Sequence, residues 1–355
     1  MSPSIAFEKN PQPKPKPQDD QLGFGRYFSD HMFICEYGKD GSWHRPRVTS
    51  YQSLQIDPGA SVLHYGQAIF EGMKAFRGVD GKVRLSRPEM NHARMKSSAE
   101  RLCMKFIDLE LYIESLKALT RADLDWVPSK PGTALYLRPT LIGSEAFLGV
   151  RPAEEYIYYV IASPVGNYYG DSIESVKIWV ERNFTRAAPG GIGAAKAGGN
   201  YAASLLAAMT AKKRGYAQVL WLDATHKKYV EEVGTMNVFF VVGDRVLTPE
   251  LNGTILPGVT RNSVLDLLRS QKRKVEERPI ELAEILEAQR KGELREVFGT
   301  GTAAGISPVG TLSVDGQDLI INEGHVGAIS AELYKILNDI QYGRVPDTHN
   351  WMLEV

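Results

Sequence analysis

Cysteine is scarce in this chain of 355 residues: Cys35 and Cys103 are the only two. They stand far apart, make no metal or redox spacing and allow at most one disulfide. A disulfide-built secreted scaffold is thereby excluded, and a reduced compartment fits better. The N-x-[ST] matches at Asn183 and Asn252 are then chance occurrences. The seven histidines contain no H-E-x-x-H and no close pair, so no metal site is expected. No stretch approaches the roughly 20 apolar residues of a membrane helix. The N-terminus carries neither an apolar signal core nor an Arg-rich amphipathic pattern. Charge of either sign is also not in excess, with Lys+Arg and Asp+Glu both at 42. Nothing steers the chain toward nucleic acid or anionic membranes. These absences describe a cytoplasmic protein with small-molecule partners.

What is present is an ordinary globular balance, 43% hydrophobic and 24% charged, on a length that suits two domains. Residues 1–24 begin with a polar stretch carrying Pro11, Pro13, Pro15 and Pro17. They read as a flexible arm that buries too little apolar surface to order itself. Residues 25–165 read as a smaller α+β domain, with strands at 31–37, 134–142 and 155–162 and helices at 88–103 and 109–123. The breaker cluster Ser163-Pro164-Val165-Gly166-Asn167 marks a hinge, and 166–174 a linker. Residues 175–355 read as the larger domain. Its expected strands are 176–181, 218–222, 237–242 and 296–298; its expected helices are 201–213, 259–270, 282–290 and 326–341. The class is α/β in the mixed α+β sense, in two domains.

The glycine-rich stretches fail as nucleotide motifs. Ala195 stands where a Walker loop needs Gly before Lys196, and Ala197 replaces its Ser/Thr. Gly299, Gly301 and Gly305 are spaced one residue too long for a dinucleotide fingerprint. No G-x-S-x-G elbow supports a serine hydrolase.

Four features carry chemistry. Lys196 lies in Gly190-Gly191-Ile192-Gly193-Ala194-Ala195-Lys196-Ala197-Gly198-Gly199-Asn200-Tyr201. Such small neighbours let a planar cofactor approach and let an amine be desolvated into a nucleophile toward aldehydes. The same loop also reads as a flexible surface segment with a solvated lysine. Glu231-Glu232-Val233-Gly234-Thr235-Met236-Asn237 places carboxylates just before an apolar strand, where one meets a cationic ring nitrogen or simply solvates a turn. Leu256-Pro257-Gly258-Val259-Thr260-Arg261 opens a helix whose N–H groups suit an anion, or is a plain Pro-Gly helix start. Gly299-Thr300-Gly301-Thr302-Ala303-Ala304 offers a second loop of N–H groups and hydroxyls, or a tight turn. Together they form the parts of a pyridoxal-phosphate site.

At this point the chain resembles the branched-chain amino acid aminotransferases of the fold-type IV pyridoxal-phosphate class. The resemblance covers residues 24–355. It rests on Leu63-His64-Tyr65-Gly66, Phe70-Glu71-Gly72-Met73-Lys74-Ala75-Phe76, Leu135-Tyr136-Leu137-Arg138-Pro139, Lys196 to Tyr201, Glu232 to Asn237, Leu256 to Val259 and the ending Ile340-Gln341-Tyr342-Gly343 with Trp351-Met352. Other fold-type IV enzymes, the D-amino-acid aminotransferases and aminodeoxychorismate lyases, should lack the Phe70–Phe76 and Tyr136–Arg138 blocks.

The resemblance implies transamination of leucine, isoleucine and valine with 2-oxoglutarate, reversible and ping-pong, by a homodimer. Lys196 would form the internal aldimine of pyridoxal 5'-phosphate and shuttle the proton between Cα and C4′. Tyr201 would bond the phenolic oxygen and Glu232 the pyridine nitrogen. Arg94, the backbone of Val259 and Thr260, and the Thr302 hydroxyl would hold the phosphate, with Arg186 and Thr235 in support. Phe28, Tyr65, Phe70, Tyr136 and Tyr168 would line the substrate pocket, with the Val150 loop reaching into a partner's site. Thr302 and Ala303 would offer N–H groups to the substrate α-carboxylate. Some members carry a Cys-x-x-Cys pair after the Gly-Thr-Gly-Thr-like loop. Here Ala304 and Ser307 stand there, which excludes a thiol switch at that place.

One pocket must then accept leucine in one half-reaction and the γ-carboxylate of glutamate in the other. A desolvated carboxylate needs a partner. Arg138, two residues after Tyr136 on a strand, shares its face and would supply a movable cation.

Overall fold

The computed structural model describes residues 4–166 and 173–355. The chain forms two compact units. The first holds the described residues up to 166 together with Ala195–Gly199 and Asn338–Val355; the second holds the described residues from 173 to 194 and Asn200–Leu337. Two segments therefore lie elsewhere than a single boundary at 166–174 puts them. The stretch around Lys196 and the C-terminus both belong with the first unit.

The first unit is built on a nine-stranded sheet. Its order runs Ala6–Phe7, Trp43–Ser50, His31–Tyr37, Tyr156–Val165, Ala134–Gly143, Met73–Arg77, Val83–Ser86 and Met352–Glu354, with Ala68–Phe70 also on Ala134–Gly143. Tyr156–Val165 alternates buried and half-buried residues as far as Ala162, the period of a strand with one covered face. Helix Leu109–Ala122 supplies part of that cover. Asp108 caps it by accepting the N–H of Leu111, and Leu111, Tyr112, Leu116 and Leu119 are buried. Each such side chain contributes on the order of 1.5–3 kcal/mol.

The expected hinge at Ser163-Pro164-Val165 is strand instead. Pairing with His31–Tyr37 ends at Ile161, so Pro164 sits where only Leu135 of the other neighbour opposes it. A missing N–H costs no ladder bond at such a position.

The arm departs from expectation in the same way. Ala6–Phe7 pairs with Arg47 and Val48. Asn10 donates its backbone N–H to the His31 ring and its side-chain amide to the Asp30 carbonyl, the N–H of Lys14 donates to Asp30 at 2.7 Å, and Leu22 is buried. The proline-rich stretch is anchored because its backbone polar groups find partners on the sheet edge, an outcome that composition does not encode.

The second unit also holds a nine-stranded sheet. Val230–Val233 pairs both with Gln218–Leu222 and with Met236–Val242. The path through Val176–Val180, Gly305–Val314 and Leu294–Gly301 therefore returns on itself and closes six strands into a ring. Its inner residues, among them Ile178, Leu220, Val238, Val297 and Leu312, form one apolar cluster with helix residues Leu282 and Ile285. The expected helices 259–270 and 282–290 appear with those bounds; 201–213 begins earlier, at Gly198.

Candidate active site

In the first unit, Lys196 is held by its own backbone. Its N–H donates to the Ser98 hydroxyl at 2.9 Å, and its carbonyl accepts from the N–H of Phe70 at 3.1 Å. Its Nζ lies 5.0 Å from the centre of the Phe70 ring. Burial lowers the amine from 10.5 to about 8, and the Arg94 charge adds to this against Glu71. The surface-loop alternative is thereby set aside: the lysine is desolvated.

Arg94 was expected at a phosphate. The structure places its Nε and Nη2 on Glu71, at 2.7 and 2.8 Å, in a pair that is almost wholly buried. Asn91 donates a further bond to Glu71 at 2.7 Å. Burial alone would raise the Glu71 carboxyl, but Arg94, Lys196 and Asn91 together hold it below its usual value. Glu71 and Asn91 carry no assigned role in the sequence. Glu71 lies inside a quoted motif, whereas no local signal marks Asn91. A second lysine, Lys74, is also lowered to about 8 by burial.

Arg138 and Tyr136 do share a face. The Arg138 guanidinium sits 4.7 Å from the Phe70 ring centre and 5.3 Å from that of Tyr136, and Nη2 donates to the Tyr136 hydroxyl at 3.2 Å. Its Nε is buried without a hydrogen-bond partner. A Cβ at position 72 would lie 1.8 Å from the Tyr136 hydroxyl, so only glycine lets Tyr136 lie there. Lys196, Phe70, Tyr136, Arg138 and the Glu71–Arg94 pair thus form one group. Phe28 instead stacks on Tyr51 at 5.0 Å, and Tyr65 donates to the carbonyl of Leu148. Val150 is 85% exposed. Tyr168 lies outside the described residues.

In the second unit, Glu232 is buried and doubly fixed. Arg186 Nε lies 2.7 Å from Oε2, and the N–H of Leu256 donates to Oε1 at 2.8 Å. Arg186 Nη1 donates to the Thr254 carbonyl at 2.8 Å and to that of Gly193 at 3.3 Å. Asn237, paired with Glu232 across the strands, donates to the Leu256 carbonyl at 2.9 Å. A Cβ on Gly258 would meet the Asn237 side chain at 2.0 Å. These contacts pin the turn leading into helix Val259–Ser270, whose first turn has no side-chain cap and no acidic residue. That end suits an anion. Thr300 opposes Asn237, and its buried hydroxyl lacks a partner.

Arg186, Tyr201 and Thr235 line one small cleft with Asn200, Ser204 and Gly234. Thr302 and Ala303 occupy the turn between Leu294–Gly301 and Gly305–Val314. Sequence reasoning missed Thr254 and Asn237 as supports; Asn237 acts through strand pairing and Thr254 through a loop that folds back on Arg186 and Glu231, and no local pattern shows either.

Within the first unit, the lowered Lys196 amine suits an aldehyde. Within the second, the carboxylate locked by Arg186 suits a cationic ring nitrogen and the uncapped helix start suits a phosphate. Taken each by itself, these residues fit the parts of pyridoxal 5'-phosphate.

The comparisons with known proteins agree. Residues 68–312 match the family described as amino-transferase class IV. Branched-chain-amino-acid transaminase 1 of Bacillus subtilis is 49% identical over the full length of both chains. The branched-chain-amino-acid aminotransferase of Mycolicibacterium smegmatis is 48% identical over 93% of this chain and 91% of its own. Among solved structures, the Escherichia coli branched-chain amino acid aminotransferase superposes with a TM-score of 0.75 at 25% identity, covering 91% of this chain and 98% of that one. The Thermobaculum terrenum enzyme in its PLP form gives 0.75 at 23%, covering 92% and 98%, a likeness of fold. With the fold, the half-buried lysine and full-length relatives in accord, the chain belongs to the class IV aminotransferases, as one of their branched-chain-amino-acid aminotransferases.

Proposed function

We propose that the chain transfers the amino group of leucine, isoleucine and valine to 2-oxoglutarate, reversibly and by a ping-pong sequence, with pyridoxal 5'-phosphate on Lys196. The observation that carries this reading is the Lys196 amine, lowered to about 8 beside the Glu71–Arg94 pair. When bound, the cofactor supplies an electron sink for the pair of electrons left at the substrate Cα. The chain's own residues do the rest. Lys196 would hold the cofactor and move the proton at the substrate Cα. Glu232, fixed by Arg186 and Leu256, would hold the proton at the ring nitrogen. Tyr201 would donate to the phenolic oxygen, with Arg186 and Thr235 in its cleft. The N–H groups of Val259 and Thr260, the Thr302 hydroxyl and the charge of Arg94 would hold the phosphate.

Phe28, Tyr65, Phe70, Tyr136 and Tyr168 would enclose the side chain, Thr302 and Ala303 would take the α-carboxylate, and Arg138 would read glutamate. Phe147, Leu148 and Val150 are 42%, 65% and 85% exposed, a concentration of apolar surface that supports a homodimer in which this loop meets a partner. Two unpaired cysteines support a cytoplasmic location, and no helix among the described residues is long and apolar enough to cross a membrane.

The test is an amine-transfer assay across amino donors with 2-oxoglutarate, paired with borohydride trapping and peptide mapping. Branched-chain donors should lead, and the label should map to Lys196. A label on Lys74 would overturn the lysine assignment; activity confined to other donors would overturn the substrate assignment.

A further inference from the structure

Consecutive residues on a strand face opposite ways. On Val230–Val233, Glu232 turns to Arg186. Its neighbour Glu231 lines a separate cavity of about 350 Å³ within the second unit. Glu231 is 3% exposed. The Thr254 hydroxyl donates to its Oε1 at 2.5 Å, while Oε2 has no hydrogen-bond partner. A buried carboxylate oxygen left unpaired is costly unless something completes it. Burial raises the Glu231 pKa, and neither the Thr254 bond nor the Arg186 charge offsets this.

The neighbouring charges are otherwise engaged. Asp223, also on the cavity wall, accepts the backbone N–H groups of His226, Lys228 and Tyr229. The Lys227 amine donates to the Phe184 carbonyl at 2.8 Å. Glu250 is exposed on the same cavity and adds a third acid to Glu231 and Asp223. Tyr229, Pro249 and Pro279 supply apolar wall.

This chemistry selects one class of ligand. Anions are repelled by the acids. Among the described residues no group of three His, Cys, Asp or Glu is placed to hold a metal ion. A neutral donor would add no charge to the partial compensation that Arg186 and Lys227 give. We propose that this cavity binds a small organic ammonium ion, one N–H of which donates to Glu231 Oε2 while its alkyl groups rest on Tyr229, Pro249 and Pro279. The site lies on the face of the strand opposite Glu232, and the proposal does not depend on the substrate assigned above.

Trimethylammonium is the probe, because it carries one N–H and, as a tertiary amine, cannot condense with an aldehyde. Tetramethylammonium, with the same charge and no N–H, is the control. Calorimetric titration of the holoenzyme at fixed ionic strength should show saturable one-to-one binding of trimethylammonium. Tetramethylammonium should bind at least about tenfold more weakly, as should trimethylammonium to Glu231→Gln. Absence of saturable binding, or equal binding of the two ions, would overturn the proposal, as would an unaffected Glu231→Gln. A crystal of the unmutated protein soaked with trimethylammonium gives a readout that does not depend on the variant's folding. Nitrogen within hydrogen-bond distance of Glu231 Oε2 supports the site; density elsewhere, or none, refutes it.

Discussion

Replacing Arg138 by methionine should separate the two half-reactions. The guanidinium rests on the Phe70 and Tyr136 rings, tethered by one 3.2 Å bond to a hydroxyl, with Nε unpartnered. A cation parked on aromatic faces by a single neutral hydrogen bond is held weakly, by roughly 1–2 kcal/mol. An incoming carboxylate outbids that contact because a charged, forked pair is stronger. Losing it should cost about 1.5–3 kcal/mol in the glutamate half-reaction, or about 10–150-fold. Methionine keeps an apolar stem against both rings, so the leucine half-reaction should change by less than about threefold. Single-turnover absorbance with each amino acid reads the two numbers separately. Equal losses on leucine and glutamate would show that Arg138 supports the pocket wall and does not read the side chain.

Three further outcomes follow from the same geometry. Glu71→Gln leaves Arg94 buried without its counter-charge and should destabilise by about 3–5 kcal/mol; calorimetry should show that Glu71→Leu with Arg94→Met regains most of it. Because the folded-state pKa of Glu71 is depressed, its contribution is present above the ordinary carboxylate range and lost as pH falls through the folded value, so the melting temperature of the unmutated protein should drop in acid more steeply than that of Glu71→Gln. Glu232→Gln should still bind cofactor yet turn over on the order of a hundredfold more slowly or worse, and near-normal steady-state rates would remove Glu232 from the ring nitrogen. Mild peroxide should leave activity largely unchanged, since Ala304 and Ser307 replace thiols and burial pushes the Cys35 thiol well up; a loss reversed by dithiothreitol would contradict this.

Elements with strong period or clear stops were legible before any coordinates. The helices Val259–Ser270 and Leu282–Arg290 and the strand His31–Tyr37 have the bounds that apolar spacing and breakers indicate. Strands of four residues or fewer, such as Val83–Ser86 and Arg245–Thr248, were missed because so short a run has no readable alternation. The chemistry of Lys196 was visible through its small neighbours. Its supports were not: Ser98 lies 98 residues away, and the Glu71–Arg94–Asn91 cluster is made by packing a helix on a strand turn. The proline-rich arm misled for a related reason, because its partners Asp30 and His31 are found only in three dimensions.

The way the first unit uses both ends of the chain bears on its synthesis. Strand Val83–Ser86 acquires its outer neighbour only from Met352–Glu354, and Tyr342 reaches back to the Thr133 carbonyl. At 5–20 residues per second, the roughly 265 residues between Ser86 and Met352 take about 13–53 s to emerge. Throughout that interval the nascent sheet carries an open edge beside a wall lacking its Tyr342 ring. The second unit, contiguous from Asn200 to Leu337 apart from the stretch before Ala195, has nearly all its strands in hand earlier. Translation therefore delivers the later-encoded unit ready to close first, and the earlier-encoded one waits until Met352–Glu354 has been made.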